Sequence, residues 1–182
     1  MRYLCDNKKV LVVCKPDAER IDLQNQLQEM GFKNANVKGT PTGENAWDLL
    51  HQEGFNLIVL VLEEVDGAPD LELLTSVKED NWLKKIPFVV IGPEKCKAQV
   101  QTAGVSQFIC KPLDKEDFKK AVQRAIIEVL CILVVDDSEF FREVLKEILS
   151  ELKFKKILEG SDGLEGLEAI KTAGENGVDI DL

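Results

Sequence analysis

Two adjacent carboxylates, Asp136 and Asp137, end the apolar run Ile132-Leu133-Val134-Val135. An apolar strand that delivers a carboxylate pair to its C-terminal edge can hold a hard cation, which takes oxygen ligands. An earlier run, Val10-Leu11-Val12-Val13, has the same apolar character and ends in Cys14-Lys15-Pro16. A thiol beside an ammonium group offers no oxygen donor and no negative charge for that task. The chain reads as one fold used twice, with the cation chemistry kept at the second occurrence and deleted from the first.

The other reactive groups narrow the classes. The five cysteines, Cys5, Cys14, Cys96, Cys110 and Cys131, show no C-x-x-C spacing; an odd count without that spacing fits reduced thiols in a cytosolic protein. Cys14 is either a thiol made reactive by Lys15 and a helix N-terminus or a small buried apolar residue. The single histidine, His51, argues against a histidine metal site or a Ser-His-Asp triad, and is expected on the surface at the end of an amphipathic helix. A net charge of -10 argues against a direct grip on nucleic-acid phosphates. No apolar run approaches the ~20 residues that span a bilayer, and the charged start Met1-Arg2-Tyr3-Leu4-Cys5-Asp6 is expected not to be a signal peptide.

Strand and helix patterns alternate around these groups. Val10 to Val13 reads as a buried parallel strand, followed by a helix that Asp17 can cap and that runs to Met30, with Gly31 as its stop. A strand at Ala35 to Val37 and a helix opened by Thr42-Gly43 follow. Leu57 to Leu62 should be a central strand buried on both faces. After the turn-rich Val65-Asp66-Gly67-Ala68-Pro69-Asp70 come a helix at Leu71 to Lys78, a strand at Phe88 to Ile91, a helix at Glu94 to Ala103 and a strand at Gln107 to Cys110 before Lys111-Pro112. Phe118, Ala121, Val122, Ala125, Ile126 and Val129 form one helix stripe. Five such units predict an α/β fold: a doubly wound, five-stranded parallel sheet, flavodoxin-like, in the order 2-1-3-4-5. Sites in such sheets form at the C-terminal strand ends, here Cys14, Val61 to Glu64, Gly92 and Lys111.

The pattern then restarts. Cys131 to Val135 is a strand, Phe141, Val144, Leu145, Ile148, Leu149 and Leu152 form a helix stripe, Phe154 echoes Phe32, and Ser161-Asp162-Gly163 echoes Pro41-Thr42-Gly43. The first copy is residues 1–129 and the second 130–182, with so short a joint that relative motion should be restricted. Asp181-Leu182 matches Asn56-Leu57, the entry to the central strand, so the second copy is expected to be incomplete by roughly 70 residues, judged by a domain of this size.

With these motifs in place, the chain resembles the receiver domain of bacterial two-component response regulators. Ile132 to Ser138 and Ser161-Asp162-Gly163-Leu164-Glu165-Gly166-Leu167 look like its first two βα units, and the first copy matches in all five, with Gly43-Glu44-Asn45-Ala46 and Lys111-Pro112 as its clearest signatures. The resemblance implies an aspartate at the end of the third strand that takes a phosphoryl group from a histidine kinase, with Mg2+ on the acidic pair, a Thr or Ser after the fourth strand, and a lysine after the fifth before an often cis proline.

Mapped residue by residue, the first copy departs from that pattern. The acidic pair falls on Cys14-Lys15, the acceptor on Val61, or on Glu63 after a two-residue shift, and the Thr/Ser position on Gly92. Lys111 and Pro112 persist; Lys111 has either a vestigial or a structural role and could pair with Glu63 or Glu64. The second copy keeps Asp136 and Asp137 as an incomplete metal site, and its acceptor would follow Leu182. These matches lead us to expect a non-enzymatic, cytoplasmic pseudo-receiver that needs no cofactor and works in phosphorelay signalling by phosphorylation-independent interaction with a histidine kinase or an output domain. Lys119, Lys120 and Gln123 would belong to its partner surface. The alternative is a tandem regulator whose second receiver, when full length, binds Mg2+ and accepts phosphate while the first docks or regulates. A third is a redox-sensitive adaptor using Cys14. Residues 130–182 are expected to be poorly ordered or stabilised by strand exchange in a homodimer, because the first strand of the second copy has an open apolar edge.

Overall fold

In the computed structural model the described residues are 5, 7–62, 64–65, 68–69, 71–176, 178 and 180–182, with only the backbone given for 64–65 and 68–69. The chain divides into two compact units, Met1–Ile126 and Ile127–Leu182.

The first unit contains β1 (Val10–Val13), α1 (Asp17–Glu29), β2 (Val37–Thr40), α2 (Gly43–Gln52), β3 (Leu57–Val61), the two-residue strands β4 (Glu64–Val65) and β5 (Ala68–Pro69), α3 (Glu72–Glu79), β6 (Phe88–Gly92), α4 (Lys97–Thr102), β7 (Gln107–Cys110) and α5 (Lys115–Ile127, whose last residue falls in the second unit). The main sheet has the order β2-β1-β3-β6-β7 with every neighbour parallel. Numbering only its five strands, that is 2-1-3-4-5, as the alternation of elements predicts. Every residue of β1, β3 and β6 is buried, the pattern of strands covered by helices on both faces. One core layer joins Leu11, Ile58 and Leu60 of the sheet to Ala46, Leu50, Leu74 and Val77 of the helices. Each of the leucine, isoleucine and valine side chains so removed from water contributes about 1.5–3 kcal/mol. On α5, Phe118, Ala121, Val122, Ala125 and Ile126 are all buried, while Val129 lies past the helix end.

Three local expectations are corrected. The second strand begins at Val37 and ends at Thr40, because Asn34–Asn36 close a 3-10 turn. Asp17 is the first helical residue rather than the cap; the cap position is Pro16, and Asp17 receives the Arg20 guanidinium instead. The helix expected from Glu94 opens as a 3-10 turn, Glu94–Cys96, before α4.

The second unit contains β8 (Cys131–Val135), α6 (Glu139–Glu151), β9 (Lys156–Gly160) and α7 (Gly163–Glu175), with β8 and β9 parallel. It repeats the opening of the first in detail. Val13 pairs with Thr40, and Val135 pairs with Gly160. The Cys14 N–H donates to Thr40 O at 3.0 Å, and the Asp136 N–H to Gly160 O at 3.2 Å. Both first helices end on a left-handed residue, Gly31 at φ 106° and Lys153 at φ 72°. The start of the third strand is repeated as well: the Asn56 N–H donates to Lys9 O and its side chain accepts from the Lys9 N–H, both at 2.8 Å. Asp181 does the same with Cys131, at 2.8 and 3.0 Å, and the Leu133 N–H donates to Leu182 O at 2.7 Å. Residues 130–182 hold these four elements, and the free edge of β8 is met at Cys131 and Leu133 by the chain's own 181–182. The stripe on α6 stays outside the core: no residue of that helix is buried.

Candidate functional site

The strand order reverses direction at β1, so the crevice of the first unit opens at the C-terminal ends of β1 and β3, beside β6 and β7. The fold brings Cys14, Val61, Gly92 and Lys111 to that edge, because Val13 pairs with Leu60, Val61 with Ile91, and Gly92 with Cys110. What they form there is a packed and internally bonded surface. Cys14 is buried, with its thiol 3.7 Å from Pro16 O. Its carbonyl accepts from Arg20 Nη1 at 2.7 Å, and the Lys15 carbonyl from the same atom at 3.3 Å. Burial of Cys14 favours the apolar reading of that thiol over the reactive one.

Val61 is buried at the end of β3 and carries no nucleophilic atom. Glu63, the shifted position, lies outside the described residues. Leu62 follows with its N–H donated to Ile91 O at 2.8 Å and its side chain in the core layer. That side chain sits over Gly92: a Cβ on Gly92 would lie 3.1 Å from Leu62 Cδ1 and 3.2 Å from Leu62 Cβ. A serine or threonine hydroxyl there would need the volume that leucine fills.

Lys111 donates its N–H to Gly92 O at 3.0 Å and places Nζ 3.1 and 3.3 Å from the two carboxylate oxygens of Glu19 on α1. Its described partner is therefore across the sheet edge, while the side chains of Glu63 and Glu64 are not described. The Lys111-Pro112 peptide is cis. Beside it, the Cys110 thiol donates to Glu94. That bond holds the Glu94 carboxyl below the usual carboxylate range, helped by Lys97, and together with burial it raises the Cys110 thiol. His51 is exposed, with Nδ1 2.9 Å from Trp47 O.

In the second unit Asp136 and Asp137 stand at the same strand end. Asp136 Oδ1 accepts the Ser138 N–H at 2.8 Å, Ser138 caps α6, and Arg142 Nη1 reaches the Asp136 carbonyl at 2.7 Å, as Arg20 reaches Cys14. Across the second strand, the Ser161 N–H and then its hydroxyl, both at 2.7 Å, hold Glu165 below the usual carboxylate range. Among the described residues no three His, Cys, Asp or Glu side chains gather into a metal site. Mg2+ takes oxygen ligands in a near-octahedral shell. Cys14-Lys15 does not fit it, and Asp136-Asp137 supplies only part of such a shell.

Counting strands locates Cys14, Val61, Gly92 and Lys111. It does not find Leu62 as the filler or Glu19 as the partner of Lys111. Arg20 and Arg142 were findable, because each stands six residues after the strand-end residue whose carbonyl it binds.

Among the described residues no helix is long and apolar enough to cross a membrane. No protein-family model matches the chain. The chemotaxis protein CheY1 of Helicobacter pylori strain J99 is 29% identical over 118 residues, covering 63% of this chain and 94% of that protein. The chemotaxis response regulator CheY4 of Vibrio cholerae superposes with a TM-score of 0.56 at 22% identity, over 65% of this chain and 98% of that one. The receiver domain of a sensor histidine kinase from Pseudomonas aeruginosa PAO1, whose structure holds a magnesium ion in its active-site cleft, superposes with a TM-score of 0.56 at 13% identity, over 65% and 97%.

Proposed function

We propose that this homologue of CheY and response-regulator receiver domains is a two-component signalling module whose first unit, residues 1–129, interacts with its partners without being phosphorylated. The observation that carries the reading is the closed strand-end surface. Leu62 occupies the space over Gly92, valine stands at the acceptor position, Lys111 is tied to Glu19, and the residues that would face a cation are Cys14 and Lys15. Carboxylate nucleophilic attack needs a carboxylate at the acceptor position and a cation held beside it; Val61 supplies no carboxylate there, and Cys14 and Lys15 supply no side-chain oxygen to hold the cation. The module is non-enzymatic and cytoplasmic on this reading, and its partners are a histidine kinase or an output domain.

The second reading is favoured by one observation, the repetition of the strand-one, strand-two and strand-three register in residues 130–182 around an intact Asp136-Asp137 pair. In a longer protein this half would accept phosphate with Mg2+, and the first would dock or regulate. Strand exchange of 130–182 between copies would have to displace the pairing of Asp181 and Leu182 on β8.

Both tryptophans, Trp47 and Trp82, lie in the first unit, so their fluorescence reads its unfolding alone. A ligand at a hundredfold excess over its Kd adds about 2.7 kcal/mol to the folded state. Mg2+ with beryllofluoride, a phosphoryl mimic, is expected to leave the tryptophan-detected midpoint unchanged. A rise of several degrees would overturn the reading.

A further inference from the structure

The turn after α3 holds an indole out in solvent. Trp82 is 88% exposed, more than any other large apolar side chain among the described residues. The turn that carries it is fixed. Asp80 Oδ1 accepts the Trp82 N–H at 2.7 Å and the Leu83 N–H at 2.8 Å. Lys78 Nζ reaches the Lys84 and Ile86 carbonyls at 3.4 and 3.3 Å. Lys84 and Lys85 follow the indole in sequence and are exposed. A single exposed apolar residue needs no explanation by itself. A tryptophan presented on a fixed turn beside two lysines is nonetheless suited to docking, because little further freedom is lost when it is buried.

The other end of α3 carries the complement. Between the first turns of α2 and α3 lies a cleft of about 520 Å³, within the range of clefts that take organic groups, about 300–1,000 Å³. The buried Leu73 and the half-buried Trp47 give it an apolar and aromatic lining, and the exposed Glu44 and Glu72 give it two carboxylates. The cleft is thus aromatic and acidic, and the turn aromatic and basic. Helix α3 runs from Glu72 to Glu79, about 12 Å at 1.5 Å per residue. The cleft lies at its N-terminal end and Trp82 beyond its C-terminal end, so the indole does not reach the cleft of its own chain. A second copy can bring one to it.

We propose that the first unit associates with a second copy of the chain through this pair of surfaces: Trp82 of one copy enters the cleft between α2 and α3 of the other, stacks on Trp47, and brings Lys84 and Lys85 to Glu44 and Glu72. The occupant is argued from charge and shape, since the knob and the cleft it complements are both present on the same chain. The net charge of -10 opposes the approach of two copies, but at physiological salt that repulsion is screened beyond about 8 Å, while the contact itself pairs opposite charges. The inference goes beyond the signalling role and does not depend on whether the first unit is phosphorylated.

The test is sedimentation equilibrium of the full 182-residue chain, with the fold of each variant checked by circular dichroism. The weight-average mass is expected to rise across about 10 μM to 1 mM, the range of a small contact. Trp82→Ala, which removes the knob, and Ser76→Phe, which fills the cleft, should each weaken association by about tenfold or more. An equimolar mixture of these two variants should associate again, because one supplies an intact cleft and the other an intact Trp82. Lys84→Glu with Lys85→Glu, or Glu44→Lys, all on exposed positions, should weaken association by about threefold. A mass that does not change with concentration overturns the proposal and leaves the two surfaces to other proteins. Association that survives Trp82→Ala, or a mixture that stays as monomeric as its components, overturns it as well.

Discussion

The Leu62 side chain lies where a side chain on Gly92 would go, with Leu62 Cδ1 3.1 Å from the position of a Cβ there. Leu62 is buried and belongs to the same core layer as Leu60, so it cannot retreat into solvent when Gly92 gains a side chain. Overpacking of this kind costs about 1–3 kcal/mol. Gly92→Ser should lower stability by that amount in urea followed by tryptophan fluorescence, and adding Leu62→Ala should return part of it, with a coupling energy of about 0.5–2 kcal/mol. Strictly additive losses would show that the two residues do not share that space. Gly92 and Val61 were legible by counting strands, because position along a parallel sheet is a matter of period and length. The filling by Leu62 was not, since it depends on which way the residue after a strand turns. The pairing of Lys111 with Glu19, two residues separated by 92 positions, had no local trace either.

At the level of elements the two copies end their first helix in the same way, and one of them pays in backbone strain. The Gly31 N–H bonds to Gln28 O and the Phe32 N–H to Leu27 O; the Lys153 N–H bonds to Ser150 O and the Phe154 N–H to Leu149 O. Glycine adopts the left-handed conformation freely, whereas a residue with a Cβ is strained there by about 1–2 kcal/mol. Lys153→Gly should therefore stabilise α6 by about 0.5–1 kcal/mol after the entropy gained by the unfolded chain, measured as slower amide exchange along Glu139–Glu151. No change, or faster exchange, would mean that the lysine side chain contributes more than its backbone costs. Helix positions were legible because apolar periodicity of 3.6 survives any context. Two things were not. The start of β2 moved because Asn34 and Asn36 favour a turn over a strand. The exposure of the α6 stripe could not be read from its spacing, since a stripe states that a face is apolar and not what covers it.

At the scale of the whole molecule, the alternation of strands and helices predicts the sheet order that the first unit adopts, and the apolar runs of β1, β3 and β6 occupy its buried centre. The chemistry is divided between the units. The one with five strands carries Cys14-Lys15, Val61 and Gly92 at its strand ends, and the one with the carboxylate pair Asp136-Asp137 has two strands and the first pairing of a third. The account turns on whether the first unit can take a phosphoryl group at all. Incubating the full chain with acetyl phosphate and Mg2+ and measuring its intact mass, followed by peptide mapping, decides this. The account predicts no phosphoryl adduct on the first unit; an adduct mapped to Glu63, or to any other residue of that unit, would contradict it.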